Sequence, residues 1–270
     1  MNGSIKGQVN FLMSLVFKPN ESKHRAKYEA RTQGLKDWHS IGKSLDIYSY
    51  NTMERYWSVW FELGNFMKSR GIKSFDKITH EVLRDFINSK MGLEKQTLRT
   101  TIASLEKLEV ALNKYRDQYK PELQRFDFKQ VLDSARKQVR EIKSEPKVRA
   151  YKDPESIIES IKNQDYKVVA EVQLRAGARI HEIAVVKPEQ LKGYKRDIDN
   201  IEKGVITIKG KGGKVRELLV PIKDYNYIKE KIERQGVWEI DKKSYRAELK
   251  RACESVGEEY KGSHGLRWNY

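Results

Sequence analysis

The sequence predicts a mostly α-helical protein with a small β-sheet, an α+β chain in which a helical bundle precedes a mixed domain. Three observations carry that expectation. Apolar residues recur at spacings of three and four from Met53 to Tyr115. A single pair of β-branched or apolar runs, joined by a glycine-rich turn, falls between Gly204 and Val220. Between the two textures lies Ser144-Glu-Pro-Lys147, which reads as a linker because Pro146 disfavours helix at the residue before it. At 270 residues, with 38% hydrophobic and 34% charged residues and 6 prolines, the chain is large enough for two domains, each with its own core.

Residues 1–45 read as a basic N-terminal arm. Lys18, Lys23, His24, Arg25, Lys27, Arg31 and Lys36 crowd a short span, either a clamp for a polyanion or a solvated helix face. Phe11 to Phe17 is apolar, but it is too short to span a membrane and lacks the small-residue cleavage site of a signal peptide; it reads as a packing helix.

Residues 46–145 read as a bundle of four helices. In the first, Met53, Tyr56, Trp57, Trp60, Leu63 and Met67 share a face, and Gly71 ends it. Thr79 is placed to cap the second, whose stripe is Val82, Leu83, Phe86 and Ile87, and Gly92 closes it. Leu98, Ile102, Leu105, Leu108, Leu112 and Tyr115 line the third, which Pro121 breaks; the fourth is expected from Glu122 to about Ile142.

Residues 146–270 form the second domain. Asp153-Pro154 is an N-cap followed by proline at the first helical position, and helices are expected over Pro154–Asn163, Tyr166–Ala176 and Ile180–Val186. Gly204–Lys209 and Lys214–Val220 read as a hairpin turning at Gly210-Lys-Gly-Gly213. Two helices follow, the later one with Tyr245, Leu249, Cys253 and Val256 on one face, and Ser263-His-Gly-Leu-Arg267 begins another element.

Charge narrows the partner. Lys and Arg number 54 against 38 Asp and Glu, a net +16 that calls for a polyanion. Nucleic acid leads over an anionic membrane, because no run approaches the roughly 18 apolar residues of a spanning helix. A lone cysteine, Cys253, makes no internal disulfide and no cysteine-rich zinc site, and it fits a reducing cytoplasm.

Three segments carry candidate chemistry. In Gly177-Ala-Arg179-Ile-His-Glu182, Arg179 and Glu182 meet on one helical face; taken alone this is a surface ion pair worth a few tenths of a kcal/mol. His181-Glu182 lacks a second histidine at Val185, so zinc is rejected. In the hairpin, Lys203, Lys209, Lys211, Lys214 and Arg216 occur without an intervening acid, so like charges would face each other unless an outside anion compensates. A DNA groove admits such a ribbon, while a mobile basic turn is the plain alternative. The turn is no P-loop, since Gly212 follows Lys211 where Ser or Thr would hold magnesium. In the third segment, His264 and Arg267 lie one helical turn apart.

Taken in order, Gly-x-Arg-Ile-x-Glu, a Gly-Lys-Gly-Gly-Lys-Val-Arg hairpin ending in Val-Pro, and His-Gly-Leu-Arg resemble the catalytic domain of tyrosine recombinases, the family of phage integrases and Xer-type resolvases. The helices of 46–145 resemble that family's core-binding, DNA-binding domain. The resemblance implies catalytic roles for Arg179, Lys211, His264 and Arg267, a supporting role for Glu182, and DNA contacts from Lys209, Lys214 and Arg216.

Two guanidinium groups suit the charge that builds on the non-bridging oxygens of an attacked phosphodiester, and Lys211 suits protonation of the departing 5′ oxygen. The reaction so implied is site-specific DNA recombination (integration, excision or resolution) through a 3′-phosphotyrosine, which needs no cofactor and no metal. The implied partners are double-stranded DNA and, on it, further copies in a tetrameric synapse; the implied place is the cytoplasm, at the nucleoid. In the family the nucleophilic tyrosine lies well beyond His-x-x-Arg. Tyr270 is too close to Arg267 to match it, and Tyr260 precedes the motif, so residues 1–270 are expected to bind DNA without cleaving it. The alternatives are a non-catalytic DNA-binding or accessory protein on the same scaffold, and a type IB topoisomerase core.

Overall fold

A computed structural model describes residues 1–143, 148–210 and 213–270. The chain folds as two compact units, Met1–Glu145 and Pro146–Tyr270. Each is taken by itself.

The first unit is helical: α1 (Ile5–Ser14), α2 (Lys23–Thr32), α3 (Trp38–Ser44), α4 (Tyr50–Ser69), α5 (His80–Ser89), α6 (Lys95–Tyr119) and α7 (Lys129–Glu141). Side-chain oxygens at Ser4, Ser22, Asp37, Ser49 and Thr79 cap the first five, each accepting from a backbone N–H otherwise left without a partner. The core gathers where Trp60 and Leu63 of α4 meet Leu105 and Leu108 of α6 and Val9 and Leu12 of α1. Trp60 satisfies its buried indole by donating to the Ser104 carbonyl at 2.9 Å.

Residues 1–45, expected as an arm apart, are part of this unit. Val9, Leu12, Met13 and Val16 recur at helical spacing and are buried, so hydrophobic burial draws α1 into the bundle. Gly64 makes room for α1 against α4: a methyl group there would stand 2.4 Å from the Ile5 side chain. The basic residues fall mainly on α2, which packs with α3 over a separate small cluster of Ala30, Ile41 and Leu45.

A second difference concerns the fourth helix of the bundle, which starts at Lys129 and not at Glu122. The Asn113 side chain accepts from the Phe126 N–H and donates to the Phe126 carbonyl, both at 2.9 Å, and Glu109 accepts from the Phe128 N–H at 2.9 Å. These bonds satisfy the backbone in a non-helical path that carries Phe128 into the core.

In the second unit, α8 (Pro154–Glu159), α9 (Gln164–Ala176) and α10 (Ile180–Ile183) precede the strands β1 (Val185–Val186), β2 (Leu191–Arg196), β3 (Glu202–Lys209) and β4 (Val215–Pro221); α11 (Ile222–Gln235), β5 (Trp238–Glu239), α12 (Lys242–Ser255) and α13 (His264–Trp268) follow. The sheet β2-β3-β4 is antiparallel throughout, and β1 pairs antiparallel with β5. Ile206 and Ile208 of β3 and Leu218 and Val220 of β4 turn into the core, against Tyr225 and Ile228 of α11.

Three expectations change here. The helix from Pro154 stops at Glu159, because Glu248 accepts the N–H groups of Lys162 and Asn163 and the Asn163 side chain caps α9 instead. The helix from Ile180 stops at Ile183, since Val185 and Val186 pair with Glu239 and Trp238. The hairpin forms the central strand, β3, and one edge, β4, of a three-stranded sheet, and among the described residues of its paired register the charges do not oppose one another: Lys209 faces Val215, Arg216 faces Ile208, and Lys203 faces Pro221. Nearby acids compensate them, Asp197 for Lys203 and Glu182 for Arg216. The expected linker, 144–147, and the turn residues Lys211 and Gly212 lie outside the described residues.

Candidate functional site

The site is built around one left-handed residue. Gly177 ends α9 at φ 60°, a conformation open to glycine, and turns the chain so that Arg179 becomes the N-cap of α10. That turn is fixed from within. Gln173, fully buried, donates to the Ala178 carbonyl at 3.4 Å and accepts from the Tyr245 hydroxyl at 2.6 Å, while Trp238 donates to the Ile183 carbonyl at 2.9 Å.

Glu182 is the anionic centre. One carboxylate oxygen accepts from the Arg179 guanidinium at 2.9 Å; the other accepts from the Arg179 N–H at 2.8 Å and from Arg216 at 3.0 Å. Its side chain is 0% exposed, against 28% for Arg179 and 40% for Arg216. Burial by itself would raise this carboxyl; the hydrogen bonds from Arg179 and Arg216 outweigh it and hold the group below its ordinary range. Glu182 is therefore a buried anion that orients two guanidinium groups.

Arg267 completes the cluster. Its Nε donates to the Gly177 carbonyl at 2.7 Å, where Arg216 also reaches at 3.4 Å. No described residue takes the Nη groups of Arg267. One turn away, His264 is exposed at the surface. Partial burial, followed by the positive charges of Arg267, Arg179, His181 and Arg149, lowers its imidazolium below the ordinary histidine value. The hairpin arrives at the same place, since a methyl group on Gly210 would stand 3.4 Å from the Glu182 carboxylate.

Of the residues singled out from sequence, Arg179, Glu182, Arg216, His264 and Arg267 come together. Lys209 is exposed at the end of β3 and Lys214 is exposed just before β4, and Lys211 is outside the described residues. Arg216, expected to contact DNA, pairs with Glu182 while its side chain stays 40% exposed. The Gly177 carbonyl, Arg149, Tyr151 and Asn269 carried no sequence signal for a part in this site. Among the described residues, no group of three or more His, Cys, Asp or Glu side chains is arranged to hold a metal, and no helix is long and apolar enough to cross a membrane.

The arrangement is a cationic surface with a buried acidic support. It can bind a tetrahedral anion by paired guanidinium donors and supply a proton donor or acceptor beside it.

The fold is shared with a solved site-specific recombinase. The chain is similar to XerH site-specific recombinase bound to difH substrate in a pre-cleavage complex, with a TM-score of 0.61 at 16% identity over 99% of this chain and 84% of that one. It is similar to the same recombinase on palindromic difH substrate in a post-cleavage complex, with a TM-score of 0.60 at 15% identity and the same coverage of both chains. No family model and no curated protein matches the sequence.

Proposed function

We propose that this protein binds duplex DNA and belongs to the machinery of site-specific recombination, with Arg179, His264 and Arg267 engaging one phosphodiester. The observation that carries the reading is the gathering of Arg179, Arg216 and Arg267 about Gly177 and Glu182, with His264 in their field. The net +16 charge and the recombinase fold support it.

In the reaction so assigned, a tyrosine other than Tyr260 and Tyr270 gives up its phenol proton to water and attacks phosphorus in line as the bond to the 5′ oxygen breaks, giving a 3′-phosphotyrosine. Arg179 and Arg267 offset the charge growing on the non-bridging oxygens, as preorganised donors do in other acyl and phosphoryl transfers. Glu182 aims Arg179 and Arg216 and takes no proton. His264 donates to a non-bridging oxygen, and Lys211 gives the leaving oxygen its proton; its neighbour in sequence, Gly210, lies beside Glu182, which supports this role. Lys209 and Lys214 hold neighbouring phosphates. Rejoining is the reverse displacement, and further copies of the chain assemble on the DNA for exchange.

The test is equilibrium binding to a 30-base-pair duplex as salt is raised. Affinity should fall linearly on a log–log plot, and Arg267→Ala, Lys209→Ala or Lys214→Ala should each cut the slope by about 1. A binding constant indifferent to salt, or unaffected by all three substitutions, would overturn the reading.

A further inference from the structure

We propose that Tyr151 and Asn269 are positioning residues that lock the segment 149–153 onto the helix carrying His264 and Arg267; the role they would serve rests on the reading just given.

The contacts run the length of the segment. Arg149 stacks over the Trp268 ring, 5.8 Å from guanidinium carbon to centroid. The Ala150 carbonyl accepts from the Lys261 ammonium at 2.7 Å. Asn269 brackets the Tyr151 backbone, accepting from its N–H at 2.9 Å and donating to its carbonyl at 2.8 Å. The Tyr151 hydroxyl donates to the Gly262 carbonyl at 3.0 Å and accepts from the Lys261 N–H at 3.1 Å. Glu258 accepts the N–H groups of Lys152 and Asp153, each at 3.1 Å.

Packing adds a steric register. The Tyr151 ring, 3% exposed, lies so close to Gly265 that a methyl group there would stand 2.3 Å from it. Gly265 sits between His264 and Arg267, so the ring presses on the one position of α13 that has no side chain. A short helix of five residues has little stability of its own. Its orientation is therefore set by what grips it: Leu266 in the core, Arg267 on the Gly177 carbonyl, Tyr151 before its start and against its middle, and Asn269 at its end.

Neither residue reaches the anion-binding face, so their effect passes through α13. His264 reports it, because the imidazole is held down by partial burial and then by the charges of Arg267 and Arg179 together with His181 and Arg149. If α13 loses its grip, that field weakens and the histidine titrates nearer its ordinary value.

The experiment is a proton NMR titration of the His264 ring in the intact chain without DNA, comparing wild type with Tyr151→Phe and Asn269→Ala. Tyr151→Phe keeps the ring over Gly265 and removes only the two hydroxyl bonds. Ile228→Val in α11 serves as the control, a buried truncation outside the site. We expect an upward shift of the His264 midpoint in both test variants and none in the control, with circular dichroism unchanged in all three. Asn269→Gln should restore less of the wild-type midpoint than Asn269→Asp does, because a carboxylate keeps the short reach to the Tyr151 N–H. An unmoved His264 midpoint in both folded test variants, or an equal shift in the control, would overturn the proposal. Since no DNA is present, that failure is distinct from failure of the binding reading, which the salt series decides.

Discussion

The Nε of Arg267 donates to the Gly177 carbonyl at 2.7 Å, joining residues 90 apart in sequence. A helix near the end of the chain is thereby tied to the turn that aims Arg179. The same carbonyl receives Arg216, so one backbone oxygen and one buried carboxylate organise three guanidinium groups.

Glu182→Gln should be among the costliest conservative changes in the second unit. It removes a buried charge that serves Arg179 and Arg216 and turns a donor toward an existing donor. Breaking a buried pair in this way costs roughly 3–5 kcal/mol. Urea denaturation should show the loss. Because the native carboxyl is held below its unfolded value, its contribution is present above the unfolded range and is lost as pH falls through the depressed one. The gap between wild type and Glu182→Gln should therefore close in acid.

Asp224 runs the other way. It is 2% exposed, one carboxylate oxygen has no hydrogen-bond partner among the described residues, and burial together with Glu171 raises its pKa to about 6. The raised value means the charged form is penalised in the folded state. The stability is whole below the unfolded value of about 3.9 and declines as pH rises through 6. Asp224→Asn should stabilise the protein at pH 7.5 by up to about 3 kcal/mol and have little effect at pH 4. Thermal melts at the two pH values measure this.

Gly204 offers a steric test of the sheet. A methyl group there would stand 1.9 Å from the Tyr225 ring, which is buried beneath β3. Gly204→Ala should cost ~1–3 kcal/mol by overpacking. Gly42→Ala, in open space at ordinary φ, should cost nothing measurable in the same urea titration.

Duplex binding should take up a proton. His264 is lowered in the free protein by burial and by the cations around it, and a phosphate beside it reverses that field. The dissociation constant should fall as pH is reduced from 8 to 6, by no more than about tenfold per pH unit for a single proton. His264→Gln should flatten the profile.

Much of the fold was legible where local chemistry decides it. Thr79 caps α5 and Val82, Leu83, Phe86 and Ile87 are buried, as spacing alone implied. Where distant partners decide, sequence was silent. Nothing local marks Asn113 and Glu109 as the groups that hold Phe126 and Phe128 out of a helix. β2 was missed because Leu191 to Arg196 is mostly exposed and lacks apolar alternation, as an edge strand can. The candidate motifs were singled out by their order along the chain, but the contact of Arg216 with Glu182, 34 residues earlier, follows from no spacing rule.

Arg179 and Arg267 are proposed to act on one phosphate. A double-mutant cycle on duplex affinity tests it most directly, using Arg179→Lys and Arg267→Lys, which keep the charge and remove the paired donors. Two groups sharing one phosphate should be coupled, the double variant losing less than the sum of the singles by more than about 0.5 kcal/mol. Strict additivity would mean that the two arginines serve separate phosphates and would contradict the account.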